Sequence, residues 1–179
     1  MHVKRFREHY FEKTVSQTPS VPLQRKPQGG WEEREIVKRK PKASKKSPQR
    51  RSRCPLNIAL EVFGDSWSLL ILRDMLFKGY STFKQFRSSN ETVSTNILAD
   101  RLQKMTADGL IHATRCSEDR RVIHYHPTRK GLDLAPVMVV MMQWTDKYEA
   151  HSVPGSKIAE MVKHRDSLVS ELMVQFDMV

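Results

Sequence analysis

The chain reads as a mainly α-helical protein with one small β-hairpin, a winged helix-turn-helix of the α+β class dimerised through its terminal helices. Three observations lead there. Residues 92–125, TVSTNILADRLQKMTADGLIHATRCSEDRRVIHY, set a helix with small polar residues at its start before an Asp-Gly break and two β-rich runs joined by an arginine-bearing turn. A short helix over 82–87 precedes it across the SSNET link, and two helices joined by a short turn form a helix-turn-helix pair. Apolar helical rows follow the hairpin, including VMVVMMQW at 137–144, which is apolar nearly all round and needs a covering surface. A second copy of the chain is the economical one.

The folded part opens at Cys54-Pro55. Leu56 to Phe63 reads as a short helix closed by Gly64, and Asp65 or Ser66 caps the next, Trp67 to Phe77, whose Trp67, Leu70, Ile71 and Met75 suit burial. Gly79-Tyr80-Ser81 breaks the chain before the helix at Thr82 to Arg87. Thr92 or Ser94 caps the following helix. There Ile97, Leu98, Arg101, Leu102 and Met105 recur at helical spacing, and the apolar members are expected to face a core. Gly109 supplies the left-handed residue that ends it.

The polar side of that helix carries the chemistry. Ser94, Thr95, Asn96 and Ala99 are small enough to meet base edges and phosphates in a major groove. Arg101, Gln103 and Lys104 are further candidate contacts to phosphate or base. In the hairpin, strands at 110–116 and 122–125 flank Ser117-Glu118-Asp119, so Arg120 and Arg121 sit near the tip, where an arginine suits the negative potential of a narrow minor groove. Asp119 can orient one guanidinium by a charge-assisted bond. Taken singly, a polar helix face and a charged turn are most often only solvated. Their succession in this order points to double-stranded DNA.

Beyond the hairpin, Thr128 caps a long helix running through Trp144 and kinked at Pro136. Lys157 to Phe176 resumes helical spacing, read as a dimer arm with packing on its own domain as the plainer alternative.

Charge divides the 179 residues. Residues 1–53 hold 16 Lys/Arg against 5 Asp/Glu, and 54–179 hold 15 against 15. The whole net charge of +11 therefore belongs to the first segment, which is rich in Pro, Gln and Ser and is expected to be disordered. It reads as an electrostatic arm for nucleic acid, or as a solubilising tail. The domains expected are this extension over 1–53, the winged helix over 54–144, and a helical extension over 145–179.

Several classes are disfavoured. There is no P-loop, Gly-rich nucleotide fingerprint or CxxC, so an enzyme, a cofactor and a structural zinc are not expected. His124 and His126 share a strand face with no evident third ligand, so no metal is expected. No apolar run approaches a membrane span and the N-terminus lacks a signal-like apolar stretch, so a cytoplasmic protein is expected.

From Cys54 to Trp144 the chain resembles the HxlR-type winged helix-turn-helix transcriptional regulators. The resemblance rests on CPLNIALEVFGDSWSLLILRDML, Phe83-Lys-Gln-Phe86, NILADRLQKMTADGLI, Tyr125, Thr128-x-x-Gly131 and LAPV…QW. It implies a homodimeric repressor or activator that binds a pseudo-palindromic operator, with terminal helices in the dimer and wings flanking the site. It further implies that some members sense electrophiles or oxidants through a cysteine near the domain start, the place of Cys54, while any small-molecule effector stays unknown. The Ser117-Glu-Asp-Arg-Arg121 turn departs from the family's Pro-rich wing and is closer to the Asp-x-Arg wing of MarR-type regulators. The competing expectation is a winged helix that docks a protein instead of DNA, for which the zero net charge of 54–179 leaves room.

Overall fold

The computed structural model describes residues 50–116, 119–150 and 153–176. Most of the basic extension, and Ser117 and Glu118 of the expected turn, lie outside them. The elements are α1 (Pro55–Phe63), α2 (Ser68–Arg73) running into a widened turn (Asp74–Lys78), α3 (Phe83–Arg87), α4 (Thr95–Ala107), β1 (Ile111–Arg115), β2 (Ile123–Pro127), α5 (Arg129–Leu132), α6 (Ala135–Tyr148), α7 (Gly155–Lys163) and α8 (Arg165–Gln175). This is the expected class, mainly helical with a single antiparallel hairpin among the described residues. Its register pairs Ile111 with Pro127 and Arg115 with Ile123. Ser81 and Thr82 extend the hairpin: Tyr125 N–H donates to Ser81 O at 2.7 Å, and Thr82 bridges His124.

One apolar core joins these elements. Leu72, Leu76 and Phe77 meet Leu98, Leu102 and Met105 of α4, Leu110 and Ile111 at the hairpin's start, and Leu132, Val139 and Leu172 behind. Leu98, Leu102 and Met105 are four and three residues apart, so they form one stripe on α4. Ile97 falls outside it and is 41% exposed, against the expectation that it faces the core. It is offset from that stripe by about 100°, the rotation of one helical residue.

The caps resolve the sequence's alternatives. Asp65, not Ser66, starts α2: its Oδ1 accepts from the N–H groups of Trp67 and Ser68, both at 2.9 Å. Ser94, not Thr92, caps α4 by accepting from Ile97 N–H at 3.4 Å. Thr92 instead adopts a left-handed φ of 49°, a strained choice for a β-branched residue. Thr82 and Gln85 form a reciprocal capping box on α3. Gly109 ends α4 at φ 70°, as its residue type allows.

Two expected helices are divided. Thr128 caps only α5, accepting from Gly131 N–H at 3.2 Å, and the chain breaks at Asp133-Leu134 before α6. Pro136 lies in the first turn of α6, where its missing N–H forfeits no helical bond, so it starts a helix instead of kinking one. The 157–176 stretch breaks at His164 into α7 and α8. Both helices pack on their own domain, burying Ile158, Met161, Leu168 and Leu172. On α6, Ala135, Met138 and Val139 are buried, while Val137, Val140, Met141, Trp144 and Tyr148 stay exposed.

Candidate nucleic-acid interface

The second helix of the pair, α4, is held from behind by its leucine stripe and from its start by Ser94. Ser94, Thr95, Asn96, Ala99 and Gln103 are all exposed. Asn96, Ala99 and Gln103 recur at intervals of three and four, so they share one face. Ile97 joins this exposed N-terminal end, where an apolar side chain suits a thymine methyl. Sequence reasoning assigned it inward; its offset from the 98–102–105 stripe was the available signal.

Arg101 and Lys104 have different surroundings. Lys104 Nζ donates to Glu61 O at 3.0 Å, Val62 O at 2.8 Å and Asp108 Oδ2 at 2.7 Å. Arg101 pairs with Asp65 Oδ2 at 3.4 Å and Asp100 Oδ2 at 2.9 Å. Burial raises the Asp65 pKa, but the Ser68 hydroxyl, the N–H groups of Trp67 and Ser68, and Arg101 together bring it below the usual carboxylate range. Both cations are engaged within the fold.

The turn ahead of α4 is fastened by a charged network. Asp74, 2% exposed, receives Arg73 Nη2 at 2.6 Å, Lys78 Nζ at 2.9 Å and the Ser89 hydroxyl at 2.5 Å. Arg73 also donates to both oxygens of Glu91, at 2.7 and 3.0 Å, and this bond holds the Glu91 pKa down at about 2. The widened turn permits the arrangement: Gly79 and Tyr80 N–H groups both reach back to Asp74 O, placing Asp74 and Lys78 on one side. Exposed Lys84 and Arg87 on α3 are further cations beside this pair of helices that the sequence reading passed over.

On the hairpin, Arg120 and Arg121 are exposed. Asp119 orients Arg121 with bonds at 3.1 and 3.3 Å to its guanidinium and one at 2.9 Å from its backbone N–H. The Asp119 pKa is lowered by the same Arg121 bonds. Pairing across the strands gathers three imidazoles: His112 and His126 stack at 5.1 Å between centroids, and His124 and His126 at 6.3 Å. Burial first, then the neighbouring histidines, push the His126 pKa down to about 4. Thr114 Oγ1 lies 3.2 Å from His126 Nε2, and Ser81 Oγ lies 3.0 Å from His124 Nδ1. Among the described residues no group of His, Cys, Asp and Glu is arranged to hold a metal ion.

Cys54 is exposed, at the N-cap of α1, with no side-chain bond to the first-turn N–H groups. Cys116 is half-buried just beyond β1. Among the described residues no single helix is long and apolar enough to cross a membrane; α1 together with α2 and its widened turn passes by length and composition, bent by 72°.

The chain is similar to known proteins. The uncharacterised HTH-type transcriptional regulator Rv3095 of Mycobacterium tuberculosis is 38% identical over 90 residues, which is 50% of this chain and 56% of that one. The chain thus spans little more than half of that relative's length. The HTH-type transcriptional regulator YodB of Bacillus subtilis is 27% identical over 111 residues, 62% of this chain and 96% of that one. Among solved structures, PA1607, described as a candidate transcription factor, superposes with a TM-score of 0.52 at 33% identity, covering 59% of this chain and 76% of that one. The model of the HxlR-like helix-turn-helix family matches residues 62–153, and the chain belongs to that family.

Proposed function

We propose that the protein is a transcriptional regulator that binds double-stranded DNA as a homodimer, with α4 in the major groove and the hairpin as a wing. The observation that carries this reading is α4 itself: a helix fastened by a fully buried stripe that turns Ser94, Thr95, Asn96, Ala99 and Gln103 outward. These five are the proposed readers, joined by Ile97. Arg120 and Arg121 are the wing contacts, and Asp119 presets the guanidinium of Arg121. Arg101 and Lys104 are withdrawn from the readers because their partners lie within the fold.

The exposed apolar side of α6, with Leu56 and Leu60 of α1, supports the dimer. Helices α7 and α8 brace α6 from its other side, so residues 145–179 serve the dimer indirectly. The basic extension adds affinity without sequence preference. Cys54, exposed at the start of α1, is the candidate redox sensor.

Selection of duplexes from a random pool by the full chain at about 0.15 M salt, the physiological range, tests the reading. The expected outcome is an enriched pseudo-palindrome with half-sites spaced by one helical turn or a multiple of it. Binding without any enriched sequence favours a protein-docking winged helix instead. For the sensor, release of the selected duplex by a quinone is expected to disappear in Cys54→Ser; unchanged release removes Cys54 from the account.

A further inference from the structure

We infer that Lys104 and Arg101 are positioning residues that lock α4 to the α1–α2 corner, and that sequence discrimination depends on this lock although neither side chain touches DNA. The inference rests on the proposed reading of α4 as the DNA-contacting helix.

The last carbonyls of a helix lack intrahelical partners. In α1, Gly64 N–H serves Leu60 O at 2.9 Å, and Lys104 Nζ serves the next two, Glu61 O and Val62 O. An ammonium has three donors. With Asp108 Oδ2 as third acceptor all three are used, so Lys104 keeps none for a phosphate. A cation at that helix end also offsets the dipole of α1. One turn earlier on α4, Arg101 reaches Asp65, the residue whose other oxygen starts α2. Two cations three residues apart thus grip the end of one helix and the start of the next. Their side of α4 lies between the buried stripe and the exposed row of Asn96, Ala99 and Gln103, so the grip sets how far that row is rotated toward a groove.

The corner also carries other chemistry. Glu61, whose carbonyl Lys104 holds, accepts Arg51 N–H at 3.0 Å and pairs with the Arg50 and Arg51 guanidinium groups at 3.7 and 3.6 Å. The end of the basic extension, α1 and α4 therefore form a continuous chain of contacts. A binding residue must be held to within about half an ångström to act on its target, and this chain supplies that support.

Three full-length chains test it: wild type, Lys104→Met and Arg101→Met. Each is confirmed folded by thermal denaturation, then measured by anisotropy on the wild-type-selected duplex and a scrambled duplex across a salt series. Each variant is expected to lose about tenfold on the selected duplex, with scrambled binding and the salt slope unchanged. A loss of equal size on both duplexes, with the slope smaller by about 0.9, marks a phosphate contact and overturns the inference. Unchanged affinity on both also overturns it. Hydrogen exchange reads the lock without DNA: residues 58–66 should exchange at least fivefold faster in Lys104→Met, and unchanged exchange overturns the lock. A wild-type chain with no preferred duplex overturns the proposed function instead, and exchange then decides the lock alone.

Discussion

Helices α4 and α6 are nearly equal in length, 13 and 14 residues, and each leaves one side uncovered, yet the uncovered sides differ in kind. On α4 the large apolar residues other than Ile97 form a narrow stripe that disappears into the core, and the rest of the outer side is polar or alanine. On α6 the apolar residues run nearly all round, so covering Met138 and Val139 still leaves Val140, Met141 and Trp144 in the open, Trp144 at 58% exposure. An open polar side is satisfied by water and can wait for a ligand. An open apolar side of this size is a standing cost that a protein partner removes. The two helices thus divide the proposed labour: one faces nucleic acid, the other a second protomer.

The strongest way to break the comparison is to remove what is buried on α4. Leu102→Ala is expected to lower stability by about 3 kcal/mol through lost burial and a residual cavity, measured by urea unfolding. A loss below about 1 kcal/mol, the range of surface changes, means the stripe is not the anchor described here. The equivalent insult to the open side of α6 should act on association. Trp144→Asp is expected to leave the monomer folded while weakening the dimer at least thirtyfold, or about 2 kcal/mol, in sedimentation equilibrium. An unchanged monomer–dimer balance would give that side some other use.

The hairpin sharpens the contrast, because its half-buried histidines belong to neither type. His126 titrates near 4 in the fold against 6.5 when unfolded, so the unfolded chain binds the extra proton first. The stability this group contributes is intact above pH 6.5 and is lost as pH falls toward 4. His126→Gln should flatten the unfolding free energy across that window by about 2 kcal/mol, less than the full shift because solvent screens the partly exposed imidazole. The Glu91 carboxylate acts in a separate, lower window, between its ordinary 4.5 and about 2. An unaltered slope between pH 6.5 and 4 in the glutamine variant would show that the stacked imidazoles do not govern it.

The smallest expected effect is on the wing. Arg121→Ala should leave the unfolding midpoint in place, since its ion pair is 91% exposed on the arginine side, and should reduce the salt slope of duplex binding by about one. A full slope in that variant removes Arg121 from the proposed contacts.

Much of this was legible from residue order. The helix-turn-helix pair, the hairpin and the glycine ends announced themselves through spacing and turn chemistry, because these are local properties of backbone and side chain. So did the 98–102–105 stripe. Ile97 was misassigned although its offset from the 98–102–105 stripe marked it, because packing against the core sets how wide a buried stripe becomes. Pro136 was misread because proline is harmless in a first turn and disruptive in a third, and the break at Asp133-Leu134 bears no strong sequence mark. For Arg101 and Lys104, residue order gave no hint of the acceptors they meet in the fold: the Asp65 carboxylate for one, and the carbonyls of Glu61 and Val62, some forty residues away, for the other.

By itself the amino-acid order determined the class of fold, the cap candidates and the glycine ends, which helix offers small polar side chains, and the confinement of net charge to the first 53 residues. These follow from local conformational preference and from counting. Tertiary structure alone decided which cations are paired within the fold, which side of α6 stays open, and that the closing helices fold back on their own domain. Those outcomes depend on contacts between residues distant in sequence, where competition among partners for the same donors and the same apolar surface settles the arrangement.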